Sequence, residues 1–198
     1  MSRLTIALPW CALLACSGSA AWAQSNSNVR GTITAFYGKA IAMATREGKS
    51  VEVLLPDTVN VSGTKAFTLA DLQPGAVLGV TTVKRADGQI IAIDVRPIPS
   101  TARLGLSSFD LQPESKMANA VLEGSVVSAD HSELTLDYRE GTVKVLVPPG
   151  TPMSQSVPGS RADLKAGETV FIVARQDAEG KLTALRVQVS ANGVKPTQ

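Results

Sequence analysis

Cysteine is scarce in this chain and stops early. Cys11 and Cys16 are the only two, and both tryptophans, Trp10 and Trp22, also lie within the first 23 residues. From residue 24 onward no thiol remains, which excludes a disulfide framework and a zinc–thiolate site. Histidine occurs once, at position 131; a lone imidazole cannot close a zinc site, and no G-x-S-x-G elbow marks a serine nucleophile for it. The phosphate-loop patterns G-x-G-x-x-G and G-x-x-x-x-G-K-[ST] are missing as well. Charged residues make up 18% of the chain and the net charge is only +2, with no block of Lys and Arg. Nucleic acid demands a clustered positive footprint, so it is not an expected partner. These absences predict no catalytic residue and no cofactor.

What is present begins with MSRLTIALPWCALLACSGSAAWAQ. One basic residue, a short apolar run and the small-residue triplet Ala21-Trp22-Ala23 follow the order of a secretory signal, residues 1–23, with cleavage between Ala23 and Gln24. The run is shorter than the roughly 20 apolar residues of a membrane span, and Pro9 interrupts it. Leu13-Leu14-Ala15-Cys16 also resembles a lipobox, in which Cys16 would become an acylated N-terminus. The two routes predict a periplasmic or secreted protein, or a lipid-anchored envelope protein; membrane attachment is expected only if Cys16 is lipidated. Removing residues 1–23 takes away Arg3 and leaves 18 Lys+Arg against 17 Asp+Glu, a net charge of +1.

The chain then repeats itself. TREGKSVEVLLPDT (45–58) returns as YREGTVKVLVPPGT (138–151). Gly31 and Gly124, Gly48 and Gly141, and Pro56 and Pro149 stand 93 apart; Asp71 and Asp163, Gly75 and Gly167, and Gly88 and Gly180 stand 92 apart. Such self-similarity means two copies of one structural unit. In each copy β-branched residues alternate with polar ones, as in Val51-Glu52-Val53 and Val143-Lys144-Val145, the period of a half-buried strand. Strands are expected near 29–36, 39–45, 50–56, 76–84 and 89–96, and near 121–128, 132–138, 142–148, 169–176 and 181–189. Glu47-Gly48, Glu140-Gly141, Asp87-Gly88 and Glu179-Gly180 supply hairpin turns at which glycine takes positive φ. TLADLQPG and SRADLKAG, after the third strand of each copy, read as single helical turns, with Asp71 and Asp163 as caps and Leu72 and Leu164 as plugs.

Five strands with a small helical insert after the third is the plan of an OB-like barrel. The expectation is an all-β chain of two tandem five-stranded barrels, at 29–97 and 121–190. With its G-x-[IV] start, E-G turn, D-L-x-x-G element and [DE]-G-x-[IL]-x-A close, each copy resembles the bacterial group called domain of unknown function 5666. That resemblance implies an exported OB-like module and brings no catalytic residue to carry over.

Residues 98–120 form the joining stretch. Leu104, Leu106, Phe109, Leu111 and Met117 are too many apolar side chains for a free linker. Either they pack on the barrels and set their pose, or they form a strip for a partner. Soft ligands for Cu(I) are limited to Met43, Met117, Met153 and His131, of which Met117, Met153 and His131 are the candidate metal ligands. Methionine inside a strand is ordinarily core filler. Taken together, the chain reads as an exported, non-catalytic binding or scaffolding module of the cell envelope, with an envelope protein or a small ligand as its partner. The alternative is a periplasmic copper-type carrier.

Overall fold

The computed structural model describes residues 25–127 and 132–196. They form thirteen strands: β1 (Ser25–Phe36), β2 (Ala40–Thr45), β3 (Ser50–Leu54), β4 (Asn60–Ala66), β5 (Val77–Lys84), β6 (Ile90–Pro97), β7 (Gly105–Ser108), β8 (Lys116–Val127), β9 (Ser132–Asp137), β10 (Thr142–Val147), β11 (Ser154–Pro158), β12 (Thr169–Gln176) and β13 (Leu182–Val189). Two 3-10 turns, Leu69–Asp71 and Arg161–Asp163, complete the set. The fold is all-β, with two closed five-stranded barrels. All ten expected strands are found. The three additional ones, β4, β7 and β11, lack a clean alternation of apolar and polar residues.

The barrels do not follow the two halves of the sequence. The first barrel combines β1, β2 and β3 with β12 and β13: β1 pairs with β12, and the parallel contact of Leu182 with Val53 closes the ring. The second combines β8, β9 and β10 with β5 and β6, closed where Leu146 meets Ile91. Each repeat therefore contributes three strands to one barrel and two to the other. The expected spans 29–97 and 121–190 mark the repeats, and each closed barrel draws on both of them. Pro56 and Pro148, just past β3 and β10, open the turns that carry the chain away, with Val59 N–H donating to the Pro56 carbonyl and Thr151 N–H to that of Pro148. A proline holds the preceding residue extended, which favours an outward course over a tight return.

The crossing itself is β4. Its residue Val61 belongs to the first barrel's core, whereas Phe67, just beyond it, belongs to the second's. β4 runs parallel to β13 and antiparallel to its counterpart β11, with Thr64 opposite Ser156. The matching contact on the other side is the bridge from Val95 to Met153. These reciprocal pairings are those of a pseudo-twofold axis through the β4–β11 ribbon.

The 3-10 turns are exchanged as well. Leu72 packs on the second barrel's core, and Leu164 sits inside the first. Thr68 and Ser160 are the N-caps, and Asp71 and Asp163 complete capping boxes by accepting from the backbone N–H of those caps. The expected acidic caps are thus the third residues of the turns, because a carboxylate there reaches back to an orphan N–H. That bond pulls the Asp71 carboxyl below its ordinary range.

One sequence match dissolves in three dimensions. The bulges fall between Ile33 and Ala35 in β1 and between Leu122 and Gly124 in β8, which makes Thr34 and Glu123 equivalent, 89 positions apart. The β8–β9 hairpin simply runs two residue pairs further before turning. Gly31 and Gly124 are consequently not counterparts. Gly31 is required because a Cβ there would lie 2.0 Å from the Ala44 carbonyl oxygen, while Gly124 meets nothing within 4 Å.

Outside the barrels, their outer faces meet across a ladder of guanidinium groups and rings. Arg96 of β6 and Arg30 of β1 both lie over the Phe109 ring, at 5.7 and 5.6 Å, and Arg30 and Arg186 over Phe171, at 5.1 and 6.0 Å. Arg30 also makes a bidentate pair with Asp110, at 2.7 and 3.0 Å, to which Asn28 adds a hydrogen bond. The Nε of Arg30 is buried without a hydrogen-bond partner, a cost of about 1–3 kcal/mol. Two ring contacts of about 0.5–2 kcal/mol each, with the forked carboxylate, outweigh it. Arg96 is held by fully buried Asp94 at 3.0 Å. Burial pulls the Arg96 guanidinium below its ordinary value, and Asp94 opposes that.

Residues 98–120 are therefore built into the body. β7 pairs with β8, Phe109 is stacked and Met117 is buried, leaving Leu106 as the exposed large apolar side chain of the stretch.

Two outcomes follow. Fragments 25–100 and 101–198 expressed separately will each lack a cooperative unfolding transition, and together they will form a 1:1 complex with the β-sheet circular dichroism of the intact chain. A separate cooperative fold of either fragment would contradict the exchange. For the clamp, Arg30 holds the Asp110 carboxyl below its ordinary range. A group whose folded value is depressed stabilises fully above its unfolded value, about 3.9, and loses that contribution as pH falls through the folded value. Urea midpoints of wild type and Asp110→Asn, compared from neutral pH downward, will differ most near neutrality and converge in acid.

Candidate functional site

Both barrel interiors are filled by aliphatic side chains, and one end of the second barrel is open. The cleft there encloses about 260 Å³ and is lined by Thr82, Lys84, Ile90, Leu106, Glu114, Lys116, Ala118, Tyr138 and Val143. The other end of this barrel is covered by Leu69 and Leu72 of the first 3-10 turn.

Strand geometry explains the lining. Side chains two apart on a strand share a face, so Thr82 and Lys84 on β5 point the same way, as do Lys116 and Ala118 on β8. Thr82 stands directly opposite Lys116 across the β5–β8 ladder, which places Lys84 diagonal to Lys116 on the same surface. Two ammonium groups thus share one rim. Among the described residues neither takes part in an ion pair.

Glu114 reaches the rim by an uncommon backbone conformation, with φ 61°. A left-handed conformation costs a non-glycine residue roughly 1–2 kcal/mol. It is held by Ser115, buried, whose hydroxyl oxygen lies 2.8 Å from the carbonyl oxygens of both Phe109 and Gln112 and shares its one hydrogen between them, while the Ser115 N–H donates to the Gln112 carbonyl. The same turn thereby ties the cleft's rim to Phe109 in the ladder between the barrels.

Tyr138 comes from the β9–β10 hairpin, which corrects one expectation about turns. Gly48, Gly88 and Gly180 do adopt positive φ, but in this hairpin the left-handed residue is Arg139, at φ 77°. Gly141 serves space instead: a Cβ there would lie 3.1 Å from the Tyr138 hydroxyl. The glycine lets the phenol fold over the hairpin.

The first barrel carries different side chains at the corresponding positions. The pairing registers put Val29 where the second barrel has Ala118, Ser27 where it has Lys116, and Gln176 where it has Lys84. A larger side chain stands for Ala118, and neither lysine recurs. The small floor residue and both lysines occur together in one copy and are replaced together in the other.

The residues singled out beforehand lie elsewhere. Cys16, Ala23, Gln24 and His131 fall outside the described residues. Met43 is buried in the first barrel's core, and Met153 packs on the second's. The Met117 sulfur faces the Arg96 guanidinium at 3.4 Å and the Thr81 hydroxyl at 3.9 Å. A thioether engaged by a cation is poorly placed to bind another, and the three methionines do not converge. The cleft residues escaped notice because Lys116 and Ala118 lie in what reads as a linker. The alternation Lys116-Met117-Ala118-Asn119-Ala120, exposed, buried, buried, half-buried, buried, is too weak to announce the first half of β8.

Comparison with known proteins adds nothing to this: no family model matches the chain, and neither the curated proteins nor the solved structures hold a significant relative.

If Lys84 and Lys116 are not needed by the fold, Lys84→Gln and Lys116→Gln will each change unfolding free energy by no more than about 0.5 kcal/mol. Urea unfolding checks this, and a loss of about 2 kcal/mol in either variant would mean the lysines serve the structure.

Proposed function

We propose that the chain is an exported, non-catalytic binding module of the bacterial cell envelope whose ligand enters the cleft at the end of the second barrel. The observation that carries this reading is the pairing of an apolar hollow with a polar rim at the end of the second barrel. Pockets that hold small ligands combine an apolar floor with a few placed polar groups. Two ammonium groups, one carboxylate and a phenol over Ile90, Ala118 and Val143 suit holding a ligand. Export is part of the proposal and rests on the pattern of residues 1–23. The resemblance to domain of unknown function 5666 agrees with it.

Two measurements test it. Mass spectrometry of the protein from the cell envelope is expected to find a mature N-terminus at Gln24; an acylated Cys16 would move the protein to the membrane surface, and an intact Met1 would overturn export. A thermal-shift screen of small molecules and peptides is expected to yield compounds that stabilise the wild type and leave Ala118→Met, in which the hollow is filled, unmoved. Equal shifts in both proteins would place binding elsewhere, and turnover in a hydrolase panel would overturn the non-catalytic reading.

A further inference from the structure

We propose that the cleft takes a small amphiphilic carboxylate, an alkyl chain with one carboxylate head, with the head between Lys84 and Lys116 and the chain over Ala118, Ile90 and Val143. This rests on the reading of the cleft as the binding site and names its ligand class.

The floor calls for hydrocarbon. Ile90, Val143, Ala118 and Leu106 line an indentation in which a short alkyl chain loses its contact with water. Leu106, an exposed large apolar side chain, stands at the edge and would be covered by such a chain.

The rim calls for one negative charge. Lys84 and Lys116 are like charges standing diagonally on adjacent strands, so both ammonium groups can reach one anion at the rim. Glu114 is the single carboxylate on this rim, and among the described residues it pairs with neither lysine. The rim therefore carries a net charge of +1, enough for a monoanion. A dianion such as a phosphate monoester would meet Glu114 with its second charge uncompensated.

The first barrel provides the internal control. Its equivalent positions hold Val29, Ser27 and Gln176, so a larger side chain stands for Ala118 and neither lysine recurs. Charges kept for solubility would have no reason to change together with the residue at the floor.

The experiment is isothermal titration of the full chain, freed of bound lipid, with butanoate, hexanoate, octanoate and decanoate, and with octanol and octylammonium as head-group controls. Affinity is expected to rise about fourfold per methylene until the hollow is full, then level off. Octanoate should bind at least tenfold more tightly than octanol, with octylammonium weakest. Lys84→Gln and Lys116→Gln should each weaken octanoate binding about three- to tenfold. Glu114→Gln should tighten it, and Ala118→Met should abolish it with the circular dichroism spectrum unchanged. Octanol or octylammonium binding as tightly as octanoate, and lost in Ala118→Met, would overturn the carboxylate assignment and leave the cleft a binding site. Failure of every probe would overturn this proposal, while the thermal-shift comparison with Ala118→Met decides separately whether the cleft binds anything.

Discussion

Closure of each barrel by strands from the opposite repeat is the constraint on which the rest of this structure depends. A three-stranded sheet of β1, β2 and β3 has two bare edges and one uncovered apolar face. β12 and β13 supply the missing edge partners and core side chains from more than a hundred residues away. The reciprocal arrangement holds for β8, β9 and β10 with β5 and β6. Once the strands are exchanged, the barrels are covalently and topologically one body. Their outer faces are pressed together, which explains why β5 and β12 are buried on both sides. Thr81 and Phe171 face outward from their barrels and yet lie at 0% and 2% exposure.

The junction fixes the pose that the exchange permits. Phe109, with Arg96 and Arg30 over its ring, joins a strand of one barrel to a strand of the other through the connecting stretch. Ser115 then links the Phe109 carbonyl to the turn that presents Glu114 and Lys116. The cleft's rim is thus anchored in the same polar ladder that holds the barrels together. Removing one partner of the buried Asp94–Arg96 pair would leave an uncompensated charge, a loss of about 3–5 kcal/mol, so this junction is as demanding as an aliphatic core.

Much of this was readable from local pattern. Alternation and turn glycines located ten strands, and the repeated ADL elements located the two 3-10 turns with Leu72 and Leu164 as their plugs. Partner choice was not readable, since Val53 has the same inward-facing pattern whether its neighbour is Ile91 or Leu182. β4 and β11 escaped because Asn60-Val61-Ser62-Gly63 and Ser154-Gln155-Ser156 carry polar residues that serve a crossing ribbon, not a barrel wall. The cleft was hidden for a related reason. It depends on Ala118 in place of Val29, and that correspondence emerges only when the bulges of β1 and β8 are superimposed in place of their glycines.

The exchange of strands after Pro56 and Pro148 also imposes an order in time. During synthesis the second barrel has all its pieces once residue 147 has emerged, because β5 and β6 precede β8, β9 and β10. The first barrel must wait for Val189, the end of β13, with β1, β2 and β3 unsatisfied until then. Contacts of such long sequence separation form slowly, and open edges of this kind invite pairing with neighbouring chains. A nascent molecule of this design is most vulnerable along β1, β2 and β3, and remains so until β13 arrives.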